Sequence, residues 1–343
     1  MNKLIIRALT VLLVALILQT SIISTAFASI NDKDTPYGPK QFNVANKWTA
    51  IVSAYEPEIE AINSAFAKRD DVTITDVIHI KGVKYQLGTY KSENIIIFTT
   101  GVSVPNAAMT MQMALDYFPI DKVVMMGIAG AINPNFTPGD IAIPARWYFH
   151  DESVYVNPNP NKPGTYHLPD YYEQALSRYK EREKTDPHAP KYENFGMIHP
   201  QEIAIVKEGF SQRKKIPYFS VTPQLLALAE QAVNTIEPIT MPSGKAINIS
   251  IGGNGVTGSV FADNAEYRNW LSDVFNAQVT EMESAAVGQV CYINDVDWII
   301  IRSVSDLAGG QAGKNEENVF DAIASGTGTK LMIGLLDEIV AAD

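Results

Sequence analysis

The sequence predicts an α/β fold, a three-layer α/β/α arrangement around a central mixed, mostly parallel twisted sheet, in one domain with an insertion. Three observations predict it. Strand-like and helix-like patterns alternate along most of the chain. The run Trp298-Ile299-Ile300-Ile301 is too apolar for a strand with one wet face and fits a strand covered by helices on both sides. The 343 residues, 46% of them hydrophobic, suit one large domain or one domain carrying an insertion.

The elements follow in order. Residues 1–28 read as a secretory signal: Lys3 and Arg7 form a charged start, an apolar run spans 8–18, and Ala26-Phe27-Ala28 offers small residues at both ends of a cleavage triplet. A membrane anchor is the alternative, but the apolar run is shorter than the ~20 residues that span a bilayer. Cleavage before Ser29 would leave a polar tether over 29–46 and an exported chain, periplasmic or secreted. The domain then begins, over 47–343. A short apolar run at 49–54 reads as a strand, followed by a helical pattern through Ile59, Ile62 and Phe66. Strand-like runs at 76–80, 84–89 and 94–99 are separated by turn signals such as Lys81-Gly82. A helix is expected over 105–117, and strands at 122–126, 140–144 and 297–304. Residues 316–340 read as a closing helix that Gly326 and Gly328 could interrupt. The stretch 155–217 departs from this rhythm. Its Asn-Pro-Asn-Pro-Asn-Lys-Pro-Gly at 157–164 reads as irregular and 172–184 as a charged helix, so the stretch is expected to be an insertion, either a lid or interface or a surface excursion.

Composition excludes several functions. The formal charge is −11, and removal of residues 1–28 would leave 25 basic against 38 acidic side chains. That balance argues against nucleic acid or an anionic membrane surface as partner. Cys291 is the only cysteine, so no intramolecular disulfide can form, and its apolar helical setting reads as core rather than nucleophile. The five histidines lack ligand spacing, so no metal site is expected.

Three segments put acids or glycines where strands end, the place where parallel α/β folds gather ligands. Gly127-Ile128-Ala129-Gly130-Ala131 follows an apolar strand and reads as a glycine-rich turn, which either cradles a ligand with its N–H groups or simply turns. Thr280-Glu281-Met282-Glu283-Ser284 leads into a helix through Val287, Val290 and Cys291. Its two acids either grip a cis-diol, as carboxylates grip ribose, or favour the helix N-terminus. Ser305-Asp306 follows the most apolar strand and precedes Gly309-Gly310. Burial disfavours the charged form of an acid, which a proton donor needs; a turn-forming Asp is the alternative.

In this order the segments resemble 5'-methylthioadenosine/S-adenosylhomocysteine nucleosidases and the wider nucleoside phosphorylase and nucleosidase superfamily. Ser53-Ala54-Tyr55-Glu56-Pro57-Glu58-Ile59 resembles that family's opening strand-to-helix turn, Gly139-Asp140-Ile141 its Gly-Asp strand, and Thr257-Gly258-Ser259-Val260-Phe261 its base-facing segment. The resemblance covers about 48–155 and 219–340. Phe261-Ala262-Asp263-Asn264 and Ser305-Asp306-Leu307-Ala308-Gly309-Gly310, together with the leader, are also similar to the plant vegetative and bark storage proteins, whose members need not be enzymes.

The resemblance implies cleavage of a purine nucleoside. Asp306 would protonate the base, helped by Ser305. Glu283 would bind the ribose hydroxyls beside Met282 and Glu281, and Ala129 and Gly130 would approach the ligand. Phe261 would stack on the base, and Glu58, with Glu56 as a rival, would activate water. Phosphorylases of this superfamily place arginines around phosphate. None precedes Gly127 or stands in residues 53–59, so water is the expected nucleophile unless Arg213, Lys214 or Lys215 reaches the site. Tyr148, Phe149, Tyr155 or the insertion would line the 5' side, a homodimer or higher homo-oligomer is expected, and no cofactor is implied.

Overall fold

The computed structural model describes residues 47–315 and 317–342; the expected leader and tether lie outside them. The compact body is formed by 47–115 and 120–343. Twelve strands build one sheet: β1 Trp48–Ser53, β2 Val72–Ile80, β3 Val83–Tyr90, β4 Glu93–Thr99, β5 Ile120–Ala131, β6 Ile141–Ile143, β7 Arg146–Phe149, β8 Phe219–Ser220, β9 Ile249–Ile251, β10 Asn254–Thr257, β11 Ala277–Glu281 and β12 Asp297–Asp306. The order is β8-β7-β10-β11-β5-β1-β4-β3-β2, with β12 paired to β5 and β6, and β9 to β6. β1 runs parallel to β4 and β5, and β12 runs parallel to β5. The two pairs β2–β3 and β3–β4 are antiparallel, as their short connections require.

Among the described residues seven α-helices accompany the strands: α1 Glu56–Phe66, α2 Val104–Tyr117, α3 Glu173–Thr185, α4 Pro223–Thr235, α5 Ala265–Phe275, α6 Ser284–Asn294 and α7 Glu317–Ala342. Ile59, Ile62 and Phe66 of α1, Leu225 and Ala229 of α4, and Leu331, Leu335 and Ile339 of α7 pack on Ile51, Ile97, Val124 and Ile299 of the sheet. A separate apolar cluster joins Trp270, Leu271 and Phe275 of α5 to Tyr148 and Val256. Trp298 to Ile301 are buried, as a strand covered by helices on both sides demands. Cys291 is buried and free.

Three expectations need correction. Gly127–Ala131 is not a turn: β5 continues through it, pairing with β12 and then with β11. Glycine serves close approach there. A Cβ on Gly127 would overlap the Arg302 guanidinium and lie 2.6 Å from Glu58 Oε1. Gly326 and Gly328 do not interrupt α7, because Gly328 lets the helix settle onto Met126, whose Sδ lies 3.0 Å from where a Cβ would stand. Asn157–Pro158, within the stretch expected to be irregular, pairs with Tyr166–His167.

Between β7 and β8 the chain leaves the main sheet. Ser153–Tyr155 pairs with Ile198–Pro200, and Ile203–Ile205 with Lys214–Ile216, while α3 brings Tyr179 to the His199 ring and Arg182 to Glu202. This stretch has its own small core, in which the Tyr179 and Tyr192 rings stack 3.8 Å apart beside buried His199. No helix among the described residues is long and apolar enough to cross a membrane.

Candidate active site

Nine residues singled out from the sequence line one pocket. Asp306, Glu58, Glu283, Met282, Glu281, Phe261, Ala129, Gly130 and Ser305 meet there, joined by Tyr55, Ile128 and Arg302. The pocket opens where β1 and β12 end and where the segments after β4, β10 and β11 converge. That is the carboxyl-end crevice of an open α/β sheet.

Glu58 is placed by the start of α1. At the third helical position it turns back, and its Oε2 accepts the N–H groups of Ala54 at 2.6 Å and Tyr55 at 3.1 Å. Its Oε1 accepts the Ile128 N–H at 2.8 Å, tying α1 to β5. The side chain is buried, which pushes its pKa above the ordinary carboxylate range against the pull of Arg302. Glu56 is exposed, one turn position away, so of the two rivals it is Glu58 that faces the pocket.

Glu281 and Glu283 are both buried, but their partners differ. Glu281 is saturated: it accepts from the Thr257 hydroxyl, from the N–H groups of Glu283 and Ser284, each at 2.9 Å, and from Arg302. Glu283 accepts the Ser103 N–H at 2.8 Å and stands 3.4 Å from Arg302 Nη2. Ser103 adopts φ 87 to present that N–H, a conformation unusual for a residue with a Cβ. Burial first, and the neighbouring Glu281 charge second, push the Glu283 pKa up, to about 8.

Arg302 is the site residue that the sequence reading missed. It is 1% exposed, on β12 beside Gly127. Its guanidinium bonds Glu281 and Glu283, its Nε donates to Ser284 Oγ at 3.0 Å, and its Nη1 donates to the Ile128 carbonyl at 3.1 Å. Glu58 Oε1 is 3.9 Å away. Its signal was an arginine inside a buried strand, since a buried charge needs partners. Arg213, Lys214 and Lys215 do not line the pocket. Lys214 lies over the Phe210 ring and Lys215 donates to the Glu202 carbonyl.

Asp306 ends β12 where the register with β5 slips by one residue, a bulge beside the pocket. Its Oδ1 accepts the Ala308 N–H at 2.7 Å, and Ser305 Oγ donates to Oδ2 at 2.9 Å. Phe261 stands at the mouth, 60% exposed, with Val102 and Val260 also exposed. Tyr148 and Phe149 are core residues and leave only Tyr155, 70% exposed, of the three aromatics expected on the 5' side. Among the described residues no group of three or more His, Cys, Asp or Glu is placed to hold a metal ion.

Residues 49–341 match the Phosphorylase superfamily. The chain belongs to that superfamily. It is 24% identical over 291 residues to a 5'-methylthioadenosine/S-adenosylhomocysteine nucleosidase of Bacillus cereus, covering 84% of this chain and 98% of that one. Its fold is similar to that of the futalosine hydrolase of Helicobacter pylori, with a TM-score of 0.60 at 20% identity over 86% of this chain and all of that one. It is equally similar, at a TM-score of 0.60 and 20% identity over 84% and 98% of the two chains, to the 5'-methylthioadenosine/S-adenosylhomocysteine nucleosidase of Neisseria meningitidis bound to methylthio-immucillin-A. These likenesses show the nucleoside phosphorylase-like α/β fold.

Proposed function

We infer that this member of the superfamily is an exported purine nucleosidase, which hydrolyses the bond between a purine and its ribose. The observation that carries the reading is the arrangement of carboxylates: Glu58 and Glu283 flank Arg302 in one pocket, with Asp306 set apart from them on the end of β12. Cleaving an N-glycosidic bond needs a proton for the departing base and negative charge near a sugar ring that becomes oxocarbenium-like. Asp306 gives the proton, with Ser305 orienting it. Glu283 accepts the ribose hydroxyls, and Phe261 covers the base. Glu58, whose burial makes it a stronger base than an ordinary carboxylate, takes a proton from the attacking water. Three glutamates surround one guanidinium, so carboxyl oxygens stand where the ring turns positive.

Water suits this pocket better than phosphate. The arginine present is engaged by glutamates, a serine hydroxyl and a carbonyl, partners that an arriving phosphate would have to displace. The named activities of the relatives point the same way. The leader expected over 1–28 supports a reaction with nucleosides outside the cytoplasm, and the exposed Val102, Val260 and Phe261 at the mouth fit a site finished by a second copy of the chain.

The test is incubation of the mature chain with adenosine, inosine, guanosine and methylthioadenosine, with and without phosphate, following base by chromatography. The reading expects base release independent of phosphate and lost in Asp306→Asn. Nucleoside binding with no base released under any condition would instead make the chain a binding or storage protein on the same fold.

A further inference from the structure

Past Asp306 the chain turns sharply: Ala308, φ 50, donates its N–H back to Asp306 Oδ1, and Gly309 follows at φ 87. The turn presses Gly309 onto the segment that precedes α5. A Cβ on Gly309 would overlap the Asn264 nitrogen and lie 2.6 Å from the Asp263 carbonyl carbon. Side chains lock the same junction. Asp263 Oδ1 accepts Gln311 Nε2 at 2.8 Å and Asn315 Nδ2 at 3.2 Å, and that Asn315 nitrogen is also 3.5 Å from Asp306 Oδ1. Asp263 is two residues beyond Phe261 at the pocket mouth.

We propose that Asn315, held in place by Asp263, is a positioning residue for the proton donor Asp306, and that Asp263 couples seating of the Phe261 segment to protonation of the leaving base. The inference rests on the nucleosidase reading above. With the Ala308 N–H and the Asn315 amide both directed at Oδ1, that oxygen stays an acceptor, and the transferable proton rides on Oδ2 beside Ser305 Oγ. The step it serves balances simply. The C1'–N bond breaks and its electron pair goes to the base, which receives the Oδ2 proton. Water bonds to C1' and gives its own proton to Glu58. A device that orients only the proton donor matters for leaving groups that need protonation and not for those that depart as stable anions.

The experiment compares a purine nucleoside with 4-nitrophenyl β-D-ribofuranoside, whose nitrophenolate leaves without a proton, on Asn315→Ala, Asp263→Ala and Asp263→Asn. For Asn315→Ala and Asp263→Ala, kcat on the purine nucleoside is expected to fall roughly tenfold with KM within about twofold. Turnover of the nitrophenyl riboside should stay within about twofold of the unaltered chain. Asp263→Asn keeps an acceptor oxygen and should restore purine turnover. The double variant Asn315→Ala, Asp263→Ala should lose no more than either single one, because both act through one contact. Equal losses on both substrates, or no loss on the purine nucleoside, would overturn the proposal even with melting temperatures unchanged. Absence of base release by the unaltered chain would instead remove the nucleosidase reading, and this inference with it.

Discussion

Arg302 organises the charges of the pocket, and its neighbours carry sharp predictions. Glu283 sits in a dry site beside Glu281, so the folded chain holds a proton there that the unfolded chain has released: its pKa rises from 4.5 to about 8. Stability is therefore lost as pH rises from about 4.5 through about 8. Glu283→Gln removes that dependence. Its melting temperature should exceed that of the parent by more at pH 8 than at pH 5, by up to a few kcal/mol in stability, while base release falls. An equal gain at both pH values would contradict this account of the carboxyl group. Asp306→Asn keeps the shape of the acid but has no proton to give. It should slow purine release by about 10²–10⁴-fold with the fold intact; a loss under tenfold would move the donor role elsewhere.

Strands, more than loops, shape this site, as the segment Gly127–Ala131 shows. Read as sequence it is a turn, because glycines after an apolar run usually break a strand. In the fold it is the far half of β5, and its glycines exist because the Arg302 and Asp306 side chains come close. Gly127→Ala should cost about 1–3 kcal/mol of stability by overpacking and lower activity by displacing Arg302 and Glu58. A variant of parental stability and activity would show that the strand has slack there. The chain between β7 and β8 predicts differently. Its buried His199 donates through Nδ1 to Asn194 Oδ1 at 2.6 Å, and buried His150, just past β7, meets the Tyr267 hydroxyl at 2.8 Å. Burial pushes both pKa values down from 6.5 to about 4. Each neutral ring thus contributes stability that is fully present above about 6.5 and lost as pH falls towards 4. Thermal melts should show a loss of up to a few kcal/mol per histidine across that window, smaller in His199→Gln. A pH dependence from pH 7 to pH 4 identical in His199→Gln and the parent would contradict it.

At the scale of the whole molecule, the architecture was legible because its strands are apolar in runs and its helices apolar in stripes. The runs at 49–54 and 297–304 became β1 and β12, and Ile59, Ile62 and Phe66 face the core of α1 as the periodicity requires. Glu283 and Asp306 were marked by their position where strands end, and Glu58 by the resemblance of Ser53–Ile59 to the family's opening turn, before the fold brought them to one pocket. Arg302 was not, because nothing local says which of three distant glutamates a strand arginine will meet. Tyr148 and Phe149 were misplaced for a related reason: aromatics near a site in sequence can fill the core, Tyr148 against Phe275 of α5 and Phe149 against Phe219 of β8. The link from Asp263 to Asn315 spans 52 residues and exists only once the loop after β12 has folded back.

The measurement that tests the central claim most directly is hydrolysis of a purine nucleoside in water labelled with heavy oxygen, with inorganic phosphate present, followed by mass spectrometry of the sugar. The account predicts free purine and ribose carrying one labelled oxygen at C1'. Unlabelled ribose 1-phosphate, or no free purine from any nucleoside, would contradict it.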